Sequence, residues 1–97
     1  MWRDDWREKL SEYRQGIDEI DLRILELVDK RMELSSRIGE IKAAYSLPVC
    51  VPEREVEVIS KRQQWGRMYG LREKFVRVLF KVVMHESRRR QRELVAA

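Results

Sequence analysis

Between about Asp5 and Ala44 the chain contains no proline, and its large apolar residues fall at Leu10, Tyr13, Ile17, Ile20, Ile24, Leu27, Leu34, Ile38 and Ile41. Steps of three and four residues set all of these on one side of an α-helix. At about 1.5 Å of rise per residue such a helix is roughly 60 Å long, too long for one compact domain of a 97-residue chain. Much of its apolar stripe is therefore expected to pack against a second chain. A chain this short has the same need on other grounds, because alone it buries only roughly 60 to 65% of its unfolded surface.

The long helix is expected to end between Tyr45 and Val51, where Pro48 interrupts the pattern. Pro52 suits the first turn of a second helix, because its missing N–H is not needed there, and Glu53 and Glu55 sit favourably near that helix's positive end. The second helix is predicted to reach about Trp65, with Gly66 and Gly70 bracketing a turn. A third helix is predicted from Leu71 or Arg72 to roughly Val95, with Phe75, Val76, Leu79, Val82 and Val83 as its apolar face. No internal repeat is evident. The expected fold class is all-α, three helices in one domain over residues 1–97.

With 43% apolar and 39% charged residues the chain has enough of both to build a core and a solvated surface, and it lacks the bias that marks disorder. A formal charge of +4 draws anions, whether nucleic acid, an acidic membrane or a small dianionic substrate. The single Cys50 excludes an internal disulfide. No apolar run approaches the length of a membrane span or of a signal-peptide core, so the simplest home is the cytoplasm.

Chemistry is suggested by polar residues where the pattern asks for apolar ones. In the heptad series Leu10, Ile17, Ile24 and Ile38, the member between the last two is Arg31. A cation in that stripe needs either an internal acid or an anionic ligand. Lys42 follows eleven residues later and shares the same helix direction within about 20°, so the two either form an anion site or Lys42 is simply solvated near the helix end. In the third helix Phe80, Met84, Ser87 and Gln91 form one stripe that passes from apolar packing into a hydroxyl and an amide. Either a helix end frays into water there, or hydrogen-bonding groups face a ligand. Arg14 lies about 25 Å before Arg31 along the same helix, so one chain does not bring both to a small ligand. Two such helices packed antiparallel about a two-fold axis would, and would do so twice.

The run RQGIDEIDLRILELVDKR from Arg14 to Arg31, IGEIK from Ile38 to Lys42, LPV at Leu47, PERE from Pro52 to Glu55 and LFKVVMHESRRRQ from Leu79 to Gln91 resemble the AroQ chorismate mutases over residues 10–92. The resemblance implies an intertwined homodimer of three-helix chains and the conversion of chorismate to prephenate in phenylalanine and tyrosine biosynthesis. It implies that Arg14, from the partner chain, and Arg31 grip the substrate carboxylates with help from Ser87. Lys42 and Gln91 would hydrogen-bond the ether oxygen, and Arg54 and Glu55 would organise the pocket and bind the ring hydroxyl. A unimolecular rearrangement needs no nucleophile, metal or cofactor, only a held conformer and donors where charge develops. Because Gln91 is a neutral amide, activity is expected to be broad around neutral pH. Two positions depart from the family pattern. Val51 stands where an aspartate is common, and Arg88 where an apolar residue is usual, so Arg88 either faces solvent or adds a cation to the site.

Two other functions share some of these features. Isochorismate-pyruvate lyase, which forms salicylate, belongs to the same scaffold, and VPER, Trp65 and GLREKFVRVLF resemble that subgroup. A basic interaction or nucleic-acid-binding module could use Arg88, Arg89, Arg90 and Arg92 against phosphates, although Arg31 and Lys42 lie on a core-directed stripe that a duplex does not reach. His85 has no second ligand at metal spacing, and Cys50 has no histidine near it in sequence. Trp2 and Trp6 extend the apolar stripe of the first helix.

Overall fold

A computed structural model describes the backbone of residues 2–96 and the side chains of residues 5–96, so the Trp2 side chain lies outside the described set. Three helices follow one another: α1 over Trp2–Ala44, α2 over Pro52–Met68 and α3 over Glu73–Ala96. No strand occurs among the described residues. The chain divides into two compact units, residues 1–31 and 32–97, with the boundary inside α1.

The first unit is a single stretch of helix. Its apolar stripe is open to solvent, with Tyr13, Ile17, Ile20, Ile24 and Leu27 all more than half exposed. A lone helix draws most of its stability from covering such a stripe, so this unit has the composition of an interface without the cover.

In the second unit the end of α1 lies parallel to α3, and α3 runs antiparallel to α2. The face α1 turns to α3 is made of Met32, Ser35 and Gly39, all buried, while the apolar residues Leu34, Ile38 and Ile41 remain exposed. The helix thus has two working faces, a small and polar one used within the chain and an apolar one left outside. A wrapped terminus ends α1, with the Leu47 N–H donating to the Lys42 carbonyl at 2.9 Å and Ser46 in the left-handed region at φ 53. Pro52 opens α2 as expected, and the N–H groups of Arg54 and Glu55 donate to the Val51 carbonyl at 3.0 and 3.1 Å.

Two expectations need correction here. Gly66 does not lie in the turn, to which it contributes only its carbonyl. It is buried inside α2, which continues to Met68, and the reversal is left to Gly70 at φ 70, with the Leu71 N–H donating to the Gly66 carbonyl at 3.0 Å. The reason is proximity: a Cβ on Gly66 would stand 2.7 Å from Val76 Cγ2, so glycine lets α2 and α3 touch. The buried face of α3 also differs from the one predicted. Of that predicted face Val76 is buried and Val83 half-buried, and Met84 is buried in addition, whereas Phe75, Leu79 and Val82 are exposed. The inward line passes from Val76 through half-buried Phe80 to Met84, Ser87 and Gln91, with Val83 and Leu94 half-buried beside it, while Phe75, Val78, Leu79, Val82 and Val95 form an outer face like that of α1.

Gly66→Ala therefore tests the contact between α2 and α3. Val76 is β-branched and 3% exposed, so it has little freedom to yield. Overpacking typically costs about 1 to 3 kcal/mol, against roughly 1 kcal/mol that alanine gains over glycine in a helix. Urea denaturation is expected to show a net loss of stability, and an unchanged or higher midpoint would contradict the close approach.

Candidate active site

The polar groups of the second unit are gathered where α1 meets α3. Ser35 on α1 donates its hydroxyl to Ser87 Oγ at 2.9 Å, and Ser87 Oγ in turn lies 3.7 Å from Met32 Sδ. One turn further along, a Cβ on Gly39 would come within 3.1 Å of Gln91 Cα and 3.0 Å of Leu94 Cδ1, so the bare glycine sets the spacing of the two backbones. The next residue on this face is Lys42. Its ammonium donates to Gln91 Oε1 at 2.8 Å and to the Val49 carbonyl at 2.8 Å.

These hydrogen bonds decide what the pair offers to a ligand. Gln91 is 7% exposed, and its amide is oriented with the oxygen towards Lys42, which turns its NH₂ group elsewhere. An ammonium has three N–H bonds, of which two are engaged here, so Lys42 and Gln91 together carry donors for a further acceptor. Burial lowers the Lys42 pKa from the ordinary lysine value of 10.5, and the nearby Cys50 opposes that shift.

The start of α2 supplies the other charged residues. Arg88 on α3 forms an ion pair with Glu55, and both side chains are partly withdrawn from water, at 20 and 36% exposure. Of the two alternatives open for Arg88, the side chain thus turns towards the carboxylate and away from open solvent. Arg54 instead pairs with Glu57 on the surface of its own helix at 2.7 Å. An open groove of about 400 Å³ runs beside Glu55 between Val56, Ile59 and Gln63 of α2 and Lys81 and Met84 of α3. It touches the polar cluster through Glu55, and neither Lys42 nor Gln91 lines it. At the far end of the α2 and α3 contact, Arg62 stacks over Trp65 and Phe80 at 5.0 and 5.7 Å and covers apolar surface.

The structure therefore brings together Lys42, Ser87 and Gln91, with Glu55 joined to the same stretch of α3 through Arg88. Arg14 and Arg31 belong to the first unit, where Arg14 is exposed and Arg31 is half-buried and engaged in an interaction. Three members of the cluster were not singled out from the sequence: Ser35, Gly39 and the Val49 carbonyl. The spacing of Ser35, Gly39 and Lys42, at i, i+4 and i+7, was the available signal, since small residues on one helix face mark a close approach. His85 and Cys50 are exposed, and no group of three or more potential metal-ligating side chains occurs among the described residues. Nor is any described helix long and apolar enough to cross a membrane.

The profile of the family described as chorismate mutase type II matches residues 13–92. A chorismate mutase of Methanocaldococcus jannaschii is 30% identical over 86 residues, which are 89% of this chain and 87% of that protein. A T-protein of Enterobacter agglomerans is 35% identical over 79 residues, 81% of this chain but 21% of that protein. An isochorismate pyruvate lyase of Pseudomonas aeruginosa is 32% identical over 76 residues, 78% of this chain and 74% of that protein. The chain thus spans about a fifth of the length of the T-protein it matches.

The buried hydroxyl pair gives a direct test of the geometry. Ser35→Ala removes the hydrogen bond to Ser87, and such a bond contributes about 0.5 to 1.5 kcal/mol. Chemical denaturation is expected to register a loss of that size, and a variant as stable as the parent would contradict the pairing of Ser35 with Ser87.

Proposed function

The chain belongs to the chorismate mutase type II family, and on that footing we propose that it converts chorismate to prephenate, in the biosynthesis of phenylalanine and tyrosine. The observation that carries the reading is the Lys42 and Gln91 pair, a cation and an oriented amide held 2.8 Å apart. In a Claisen rearrangement one C–O bond breaks as one C–C bond forms, and negative charge grows on the ether oxygen. Donors already fixed in place stabilise that charge without reorganising during the reaction. Arg31, Arg14 of a second copy and Ser87 take the two carboxylates and so favour the compact conformer from which the bond forms. Arg54 and Glu55 organise the pocket around the ring hydroxyl. None of these roles calls for a nucleophile, metal or cofactor.

The second copy is part of the proposal. An apolar stripe from Tyr13 to Leu27 is more than half exposed at each large residue, contiguous apolar surface of this kind marks an interaction site, and a self-complementary two-fold interface would cover it on both chains at once. Residues 1–97 then act as one helical domain completed by its partner, and its home is the cytoplasm. A nucleic-acid role is less well supported by the arginine run. Arg88 pairs with Glu55, Arg89 with Glu86 and Glu93, and Arg90 with Glu86 at 3.9 Å, so most of that positive charge is answered within the chain. The lyase reading keeps one specific support, the similarity to the Pseudomonas lyase, and the same assay decides it.

Purified protein offered chorismate and isochorismate separately, without added metal or cofactor, is expected to consume chorismate and form prephenate. Lys42→Ala and Gln91→Ala are each expected to lower kcat/KM by about 10²-fold or more, the typical effect of losing one preorganised donor. Between pH 5 and 8 the rate is expected to stay level, because Gln91 does not titrate. It should fall on the alkaline side with a midpoint below 10.5, as Lys42, its pKa lowered by burial, gives up its proton. Salicylate formed from isochorismate alone would move the assignment to the lyase, and no turnover of either compound would refute both.

A further inference from the structure

We propose that Arg88 is a specificity-determining positioning residue, which holds Glu55 in an ion pair so that the site accepts a neutral hydroxyl on the substrate ring and rejects an ammonium there. The inference rests on the chorismate reading and concerns which ring substituent that site admits.

Along α3, Arg88 follows Ser87 directly and precedes Gln91 by one turn, and it reaches across to Glu55 at the start of α2. Glu55 also borders the groove beside Met84. A bare carboxylate in this position would do two things. It would repel a substrate that brings two carboxylates of its own, and it would attract a positively charged ring substituent. With the Arg88 guanidinium bound to one carboxylate oxygen, the pair has no net charge. The second oxygen is left as an acceptor for an O–H donor, and the cation beside it opposes any ammonium.

Partial burial makes the arrangement effective. The arginine side chain is 20% exposed and the glutamate 36%, so the charges are screened less by solvent than those of Arg54 and Glu57, which stand at 59 and 65%. Arg88 is therefore unlike its neighbours Arg89 and Arg90, whose partners are acids on α3 itself. Of these three consecutive arginines it is the one that joins α3 to α2.

The test compares chorismate with its analogue that carries an amino group in place of the ring hydroxyl, using the parent, Arg88→Val, Arg88→Gln and the double variant Glu55→Gln/Arg88→Val. The readout is the ratio of kcat/KM for the amino compound to that for chorismate, which a loss of folded protein alone does not change. Removing the guanidinium is expected to raise the ratio at least tenfold, with Arg88→Gln deciding if Arg88→Val does not fold. In the double variant no carboxylate remains, and the ratio is expected to return towards that of the parent. A parent that turns over chorismate, with a ratio unmoved in the folded single variants, would overturn the proposal and leave the mutase reading standing. A parent that turns over neither compound would refute the mutase reading and this proposal with it.

Discussion

A helix of 43 residues in a chain of 97 presents more side-chain surface than the rest of the chain can cover, and the consequences run through the whole structure. Helix α1 meets the excess by dividing its labour between faces. Towards α3 it offers Met32, Ser35, Gly39 and Lys42, a line short enough for two backbones to come close and polar enough to carry hydrogen bonds between them. Its isoleucines and leucines point elsewhere and stay exposed. Burial of apolar area is the main favourable force in folding and association, so a stripe left open along most of a long helix is itself a statement about partners.

The same close approach explains the site. Lys42 is fixed because the wrapped end of α1 brings the Val49 carbonyl to it on one side while Gly39 allows Gln91 to reach it on the other. A lysine elsewhere on this surface would carry its charge into water. Here two of its hydrogen bonds are assigned, and the orientation of a buried amide follows from one of them. For a rearrangement that needs only positioning and charge stabilisation, this preorganisation is the contribution a protein can make.

Much of this was legible in the sequence because it depends on periodicity. Three helices, the proline that opens α2 and the placing of Ser87 and Gln91 at the end of an otherwise apolar stripe all follow from spacing. Spacing does not show which of two adjacent faces is turned inward. Phe75, Leu79 and Val82 fit a helical stripe as well as Val76 and Met84 do, and only packing against α2 separates them. Glycine is common in turns, so sequence alone points Gly66 to one, whereas the fold needs it because a Cβ there would stand 2.7 Å from Val76. The link between Arg88 and Glu55 joins residues 33 apart in sequence, and no local pattern encodes it.

The central claim is that the open stripe of α1 is the seat of a second copy, which supplies Arg14 to a site that contains Lys42 and Gln91. The most direct measurement co-expresses an Arg14→Ala chain and a Gln91→Ala chain with different affinity tags, purifies material that carries both, and assays it with chorismate. Each variant alone is expected to be nearly inactive. The mixed dimer should regain substantial activity, because one of its two sites then holds an intact Arg14 from one chain and an intact Gln91 from the other. A mixed species as inactive as either variant, or a failure of the two chains to copurify, would contradict the account.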